Sequence, residues 1–136
     1  MKFGTISDEK CQESRTKYPG IKVYGDEDKI LLNPEINVVS IASYDDDHYE
    51  QIVKAIAHDK HIFVEKPLCL YKKEAVHIRE LLTEKPHLKI SSNLILRKSS
   101  RFLALKNKIE TGDLGELFHI EGDYNYGRLH KITEGW

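Results

Sequence analysis

The chain has 136 residues, of which 40% are hydrophobic and 32% charged, and its net charge is −1. This composition is typical of one soluble globular domain with its own core, and the small net charge argues against broad attraction to nucleic acid or to an anionic membrane. Two distant cysteines, no apolar run of about 20 residues and no signal-peptide pattern favour a cytoplasmic protein without a disulfide framework or a membrane span.

Strand-like and helix-like patterns alternate along the chain. The predicted strands are Lys2–Ser7, Ile21–Tyr24, Val38–Ser43, His61–Glu65, Leu88–Leu94 and a longer one at Leu117–Tyr126, and the predicted helices are Asp8–Tyr18, Asp26–Leu32, Asp46–Asp59, Lys72–Thr83 and Ser99–Thr111. Strands separated by helices of this length predict right-handed βαβ units. The expected fold class is therefore α/β, with a parallel sheet and helices on both faces.

The run Val38–Ser43 is the clearest buried strand, because it is β-branched and apolar on both faces, as a central parallel strand should be. Ligands of such sheets bind at the carboxyl ends of the strands. That rule directs attention to four segments: Ser7-Asp8, Ser43-Tyr44, Glu65-Lys66-Pro67 and Asn93–Arg97.

Asp8 stands between the first predicted strand and the helix that follows it. In a dinucleotide fold, a carboxylate at this place accepts hydrogen bonds from the adenosine ribose hydroxyls. It would also repel a 2′-phosphate, so NAD is the expected cofactor and NADP the less favoured one. An ordinary helix N-cap is the alternative interpretation of Asp8.

Lys66 follows a predicted buried strand, and the next residue, Pro67, restricts its backbone to extended conformations. An ammonium group at the end of such a strand can bind a hydroxyl and polarise an alcohol during hydride transfer. The alternative is a solvated lysine at a strand end, and the tripeptide Glu65-Lys66-Pro67 alone does not exclude it.

The surrounding block distinguishes the two interpretations. Asn37–Ser43, then His48, then Ile56–Leu68 with Lys60-His61 and Glu65-Lys66-Pro67-Leu68 resemble the pattern of the glucose–fructose oxidoreductase / inositol dehydrogenase / rhizopine catabolism (Gfo/Idh/MocA) family. The resemblance extends from Asn33-Pro34 through Arg97 and Lys106 to Leu114-Gly115-Glu116, so it covers nearly the whole chain. It implies a Rossmann-like sheet and an NAD(P)-dependent oxidoreductase acting on a sugar, a polyol or a sugar derivative.

The resemblance also implies roles for the matching residues. Asp8 would bind the adenosine ribose, and Arg97 would lie near the nicotinamide edge. Lys66 would be the catalytic lysine that binds both cofactor and substrate. Four further residues would lie near the cofactor: Ser43, Tyr44, His48 and Glu65. The Lys66–Pro67 bond is often cis in the family. The complete protein is expected to be a homo-oligomer that binds a sugar-like small molecule, with no nucleic-acid or membrane partner.

Two departures concern the ends of the chain. The family opens with a strand and G-x-G-x-x-G, and this sequence contains neither, so the first βα unit is expected to be missing. Residues 1–115 are predicted to form a partial dinucleotide-binding domain, and residues 116–136 the first strand of a truncated α+β substrate domain. We expect this chain alone to bind dinucleotide weakly and to be inactive. Tyr126 and Arg128, on that last strand, are candidate substrate-binding residues or ordinary half-buried strand residues.

Other patterns are interpreted structurally. The acidic run Asp45–Asp47 beside His48 complements a helix N-terminus better than it indicates a metal site, and no metal is expected. Cys69 has no base in register with it and is interpreted as a small buried hydrophobe rather than a nucleophile. Asp59, where the family usually has glycine, is expected at a helix C-terminus.

The leading functional hypothesis is a fragment of an oxidoreductase that moves a hydride between nicotinamide and a secondary alcohol or ketone. A non-catalytic binding or assembly module derived from the same fold is the alternative, and the missing first strand favours it. A flavodoxin-like regulatory domain is a third class, against which Glu65-Lys66-Pro67 argues.

Overall fold

The computed structural model describes residues 7–125 and, for the backbone alone, the strand Lys2–Gly4. These residues fall into two compact units, one ending at Ile95 and the other starting at Leu96. The first unit contains the described strands, and the second contains one long helix. The predicted division at residue 115 stays a prediction.

The elements alternate as the sequence predicts, with shorter strands. The strands are β1 (Lys2–Gly4), β2 (Lys22–Tyr24), β3 (Val38–Ile41), β4 (His61–Val64) and β5 (Ile90–Ser92), and the helices are α1 (Asp8–Lys17), α2 (Asp28–Leu31), α3 (His48–Ala57), α4 (Lys72–Glu84) and α5 (Ser100–Glu110). A single 3₁₀ turn, Ile95–Lys98, precedes α5. α1, α3 and α4 each lie between two strands that pair, and parallel pairing needs such a crossover connection.

All described strand pairs are parallel, as the sequence predicts. β1 pairs with β2 in one sheet, and a second sheet has the order β3-β4-β5. In the second sheet, Val38 lies opposite His61 and Ile62 lies opposite Ile90. The sequence therefore predicted the fold class correctly, because periodicity and connection length are sufficient to indicate parallel βαβ units.

The expectation that Val38–Ser43 is a central strand differs from the structure. β4 is the middle strand of its sheet, and β3 has β4 as its single partner among the described strands. Val38 is 60% exposed, whereas Val39 and Ile41 are buried. An apolar run on both faces indicates that a strand can be covered on both sides, but it does not supply the neighbour that covers it.

The core lies between one face of the β3-β4-β5 sheet and α3. α3 packs on β3 and β4, and α4 packs against α3. Their contact is a continuous apolar cluster of Leu31, Val39, Ile41, Ile52, Ala55, Ile56, Ile62, Val64, Ile78 and Leu88. The helical spacing of Ile52, Ala55 and Ile56 produces the buried face of α3.

Polar side chains secure the connections between these elements. Lys60 is almost completely buried, and its ammonium group donates to the carbonyl oxygens of Asn33, at 2.9 Å, and Ile36, at 2.8 Å. The segment before β3 is thereby tied to the start of β4. Burying a charged group is favourable only when hydrogen bonds replace its hydration, and these two carbonyl groups provide that replacement.

The end of α3 has left-handed backbone geometry. Asp59 has φ 56°, in the region that glycine adopts most readily, which confirms its expected place at a helix C-terminus. Its carboxylate accepts a hydrogen bond from Lys85 at 2.8 Å, and Lys85 also donates to the carbonyl oxygens of Ile56 and Ala57. The last turn of α3 is therefore closed by a lysine from the end of α4.

The second unit consists of α5 and the residues after it. α5 ends at Glu110, and Gly112 follows it with φ 78°, as expected for a glycine that stops a helix. The strand predicted over Leu117–Tyr126 is not formed in its described part, residues 117–125. A strand is stabilised by the backbone partner beside it, and the sequence pattern alone cannot provide one.

The free edge of β3 generates the first prediction. His61 and Glu65 donate their amides to the carbonyl oxygens of Asn37 and Ile41, so the backbone groups of Val38 point away from β4. An apolar edge of this kind promotes strand pairing between molecules, and a charged side chain opposes it. Val38→Lys should therefore weaken self-association of the 136-residue chain about tenfold, or about 1.4 kcal/mol, as measured by sedimentation velocity over a concentration series.

Leu32→Lys is the matched control for Val38→Lys, since Leu32 is 66% exposed and lies after α2. It makes the same change of an exposed aliphatic side chain to lysine away from a strand edge. Equal effects of the two variants would show that net charge, and not the edge of β3, controls association.

The Asp59–Lys85 pair generates a prediction on pH. The hydrogen bond from Lys85 lowers the pKa of Asp59 below its ordinary value of 3.8. The stabilisation from this carboxylate is therefore fully present above pH 3.8 and is lost as the pH falls through the lower, folded-state pKa. The melting temperature of the wild-type chain should be higher than that of Asp59→Asn at pH 6, and the difference should vanish in strong acid. Asn also tolerates left-handed geometry, so the variant removes the charge alone.

Asp45→Asn serves as its control, because Asp45 is exposed and makes no hydrogen bond to another described residue through its side chain. If Asp45→Asn reproduced the same pH-dependent difference, overall charge rather than the contact with Lys85 would explain it.

Candidate functional site

The loops that follow β3, β4 and β5 meet at one edge of the sheet, because parallel strands all end on the same side. Ser43 and Tyr44 follow β3, Glu65 and Lys66 follow β4, and Asn93 follows β5. The residues that the sequence predicted at strand ends are therefore brought together in the first compact unit.

Lys66 is exposed at this edge. Its ammonium group makes no hydrogen bond or ion pair with any described residue, and its peptide bond to Pro67 is cis, as the resemblance implies. The amine is therefore available to a ligand, while the residues on both sides of it are held by the protein.

Glu65 is held on the side of β5. Its carboxylate accepts a hydrogen bond from the side-chain amide of Asn93 at 2.8 Å, and its backbone amide donates to Ile41 at 2.9 Å. The backbone amide of Asn93 donates in turn to Val64 at 2.9 Å. The sequence directed attention to the segment Asn93–Arg97 but assigned no role to Asn93 itself. Its place at the end of a predicted strand was the available signal.

His48 is held beneath the same turn. Its ring is fully buried, and Nδ1 lies 2.7 Å from the carbonyl oxygen of Pro67. A carbonyl oxygen only accepts hydrogen bonds, so Nδ1 carries a hydrogen. Nε2 is buried and has no hydrogen-bond partner among the described residues. The predicted contact of His48 with a cofactor stays a prediction.

The side chain of Ser43 is tied to α3. Its hydroxyl donates to the side-chain oxygen of Gln51 at 2.8 Å. The carbonyl oxygen of Tyr44 accepts from the amide of Asp47 at 3.0 Å, which forms the turn into α3, and the Tyr44 ring is exposed. Gln51 was missed in the sequence because it lies within a helix, where a single glutamine carries no motif.

Asp8 is the first residue of α1, and Ser7, not Asp8, is the N-cap. The Ser7 hydroxyl accepts from the amide of Lys10 at 3.1 Å. The N-cap interpretation of Asp8 is therefore wrong, because the preceding serine already satisfies that amide. The Asp8 carboxylate is exposed and makes no hydrogen bond with the described residues, so it is free to accept from a ligand.

Three candidate residues belong to the part of the chain that follows the first compact unit. Arg97 is exposed on the 3₁₀ turn of the second compact unit. Tyr126 and Arg128 lie outside the described residues. Their predicted contacts with nicotinamide or substrate stay predictions.

Residues 7–125 contain neither a metal-ligating cluster nor a membrane-spanning helix. No group of three His, Cys, Asp or Glu side chains in this part of the chain could hold a metal ion. Nor does any helix described there have the length and hydrophobicity needed to cross a bilayer.

The sequence of the first compact unit matches a known family. Residues 3–92 match the model of the oxidoreductase family with an NAD-binding Rossmann fold, Gfo/Idh/MocA. The chain belongs to this family. The β3-β4-β5 sheet with Glu65-Lys66-Pro67 at its carboxyl edge is therefore the Gfo/Idh/MocA nucleotide-binding fold, as the resemblance implied.

Individual relatives agree with this assignment. The chain is 34% identical over 120 residues to inositol 2-dehydrogenase/D-chiro-inositol 3-dehydrogenase of Lacticaseibacillus casei, covering 83% of this chain and 35% of the relative. It is 30% identical over 119 residues to the uncharacterized oxidoreductase YhhX of Escherichia coli, covering 88% of this chain and 34% of that protein.

A solved structure shares the fold. Scyllo-inositol dehydrogenase from Lactobacillus casei, with bound NAD(H) and scyllo-inositol, superimposes with a TM-score of 0.74 at 23% identity, over 85% of this chain and 34% of that one. The chain thus spans about a third of the length of the relatives it matches. The matched third includes the carboxyl ends of the strands and the turn Glu65-Lys66-Pro67 of this Gfo/Idh/MocA chain.

The residues present fit part of a dinucleotide site. The free Asp8 carboxylate can accept from ribose hydroxyls, and the free Lys66 ammonium can donate to a hydroxyl or carbonyl oxygen. The sequence contains no G-x-G-x-x-G to supply amides for a pyrophosphate. The Gfo/Idh/MocA chain therefore offers groups suited to the sugar portions of a dinucleotide, and it offers no phosphate-binding turn of that type.

Cys69 lies three residues after Lys66, and its reactivity is testable. Burial, and secondarily the nearby charge of Glu74, raises the pKa of the Cys69 thiol. Because the thiolate is the reactive form, the folded chain should alkylate Cys69 with iodoacetamide at pH 8 more slowly than the urea-unfolded chain does, as followed by peptide mass spectrometry. A rate in the folded chain equal to or above the unfolded rate would show an activated thiol and revive the nucleophile interpretation.

Proposed function

We propose that this chain forms the carboxyl edge of the nucleotide-binding site in an oxidoreductase that transfers a hydride between nicotinamide and a polyol or sugar-derived alcohol. The observation that carries the proposal is the free ammonium group of Lys66, exposed at the ends of parallel strands between two anchored neighbours. Family membership supports the reaction class, and the inositol dehydrogenases among the relatives support a polyhydroxylated ring as the substrate.

The proposed chemistry of Lys66 follows from its charge and reach. An alcohol that loses a hydride must also lose its hydroxyl proton, and the reverse reaction places negative charge on a carbonyl oxygen. An ammonium group beside that oxygen stabilises the charge, and the neutral amine can accept the proton. In this scheme nicotinamide supplies or takes the hydride, and the protein positions the reacting carbon atoms and handles the proton.

The proposed cofactor preference is for NAD. The carboxylate of Asp8 has no hydrogen-bonding partner among the described side chains, and it follows β1, where the Rossmann arrangement places the adenosine ribose. A fixed negative charge there accepts from two ribose hydroxyls and repels a 2′-phosphate.

The role of Lys66 can be tested in a chimaera in which this chain replaces the matching segment of the Lacticaseibacillus casei inositol 2-dehydrogenase. Lys66→Ala should lower kcat for NAD-dependent oxidation of inositol about 10²-fold or more, the usual contribution of a positioned acid–base group. Lys72→Ala is the matched control, because Lys72 is an exposed lysine at the start of α4. Unchanged turnover in Lys66→Ala, with the chimaera active, would remove Lys66 from the mechanism.

The cofactor preference can be measured in the same chimaera. Asp8→Ala should shift the ratio of kcat/KM for NAD over NADP by about tenfold toward NADP, equivalent to about 1.4 kcal/mol, because repulsion of the 2′-phosphate is removed. Glu9→Ala removes the same charge one residue away and should shift the ratio less. A ratio identical in wild type and Asp8→Ala would place the adenosine ribose away from Asp8.

A further inference from the structure

The turn that carries Lys66 is anchored from two sides by different elements. The residue before it, Glu65, is bonded to Asn93 at the end of β5. The residue after it, Pro67, is bonded to His48 at the start of α3. Neither anchor bonds to the ammonium group itself, which makes no hydrogen bond or ion pair with any described residue.

The His48 anchor is built for this one contact. Its ring is 0% exposed, and among the described residues Nδ1 has a hydrogen-bond partner whereas Nε2 has none. The 2.7 Å distance from Nδ1 to the carbonyl oxygen of Pro67 fixes the Nδ1–H tautomer. Burial of the ring also means that the hydrogen bond is not in competition with solvent.

The Asn93 anchor acts through the carboxylate of Glu65. The side-chain amide of Asn93 donates to that carboxylate at 2.8 Å, while the Asn93 backbone amide is bonded to Val64 at 2.9 Å. Because the backbone of Asn93 is itself bonded to β4, its side-chain amide holds the Glu65 carboxylate in a fixed place relative to that strand. A charge-assisted bond of this type is stronger than one between two neutral groups.

We infer that His48 and Asn93 are positioning residues that hold the backbone on each side of Lys66. The inference rests on the proposed function of Lys66 as the group that meets the reacting oxygen. Lysine has a long side chain with four rotatable bonds, so the placement of its ammonium group depends on how well its backbone is fixed. With both neighbours held, the backbone of Lys66 is fixed, and the ammonium group moves only through rotation of the side-chain bonds.

Hydrogen exchange of the 136-residue chain, measured by mass spectrometry without dinucleotide or substrate, tests the inference. The amides of Glu65 and Leu70 flank the turn and are hydrogen-bonded to Ile41 and to the Glu74 carboxylate, so they report its opening. His48→Leu and Asn93→Ala should each speed exchange in the 65–71 segment about five- to tenfold, the effect of losing one hydrogen bond. Exchange in the core of α3, residues 52–56, should stay as in wild type.

Two further variants separate positioning from bulk stability. His48→Asn keeps an N–H donor close to the position of Nδ1 and should restore slow exchange in the 65–71 segment. Gln51→Ala removes the hydrogen bond to Ser43 at the same edge and should leave that segment unchanged. If His48→Leu also speeds exchange at residues 52–56, Asn93→Ala carries the test alone.

Unchanged exchange at 65–71 in both His48→Leu and Asn93→Ala would overturn the inference, as would a His48→Asn variant as fast as His48→Leu. These results do not depend on turnover. The inference can therefore fail while Lys66 remains catalytic, and it can hold in a chain whose Lys66 has no role in hydride transfer.

Discussion

Parallel pairing of β3, β4 and β5 is the constraint on which the rest of this molecule depends. In a parallel sheet every strand ends at the same edge, so residues that are widely separated in the sequence become neighbours there. The pairing brings Glu65 to Asn93 across two adjacent strands. It also leaves each connection to pass over the sheet as a helix, and α3 buries Ile52 and Ile56 against β3 and β4 in doing so.

Buried polar groups in this fold have a consistent role: they fix connections. Lys60 joins the segment before β3 to the start of β4 through two carbonyl oxygens, and His48 joins α3 to the turn after β4 through one. The Lys60 ammonium group and the Nδ1–H of His48 each lose hydration on folding, and these carbonyl oxygens compensate for that loss. Lys66 differs from both, since it stays in solvent and bonds to nothing described.

Much of this arrangement follows from the sequence alone. Alternating periodicities indicate the order and type of the elements through α5, and the motif around Glu65-Lys66-Pro67 indicates both the family and the strand end that carries the lysine. The sequence does not show which strands will pair with one another. The pattern of Val38–Ser43 could not show which strands would flank it, and residues 117–125 alternate like a strand without forming one.

The side-chain partners were hidden for a similar reason. Nothing in the sequence links His48 to Pro67 or Asn93 to Glu65, because each pair is joined only after helices and strands have packed. The N-cap of α1 shows the same limit on a smaller scale. Ser7 and Asp8 are both good N-cap residues, and local geometry selects Ser7.

The solvent-exposed side chain of Lys66 separates the proposed chemistry from the stability of the fold. Its ammonium group contributes no described contact to the fold, while the neighbouring backbone is held by Asn93 and His48. A single codon change at position 66 can therefore exchange the proposed reactive group without a cost in folding, since exposed substitutions away from caps and packed contacts change stability little. Descendants of this fold can lose the ammonium group and keep an intact scaffold, or place a different side chain at the same position.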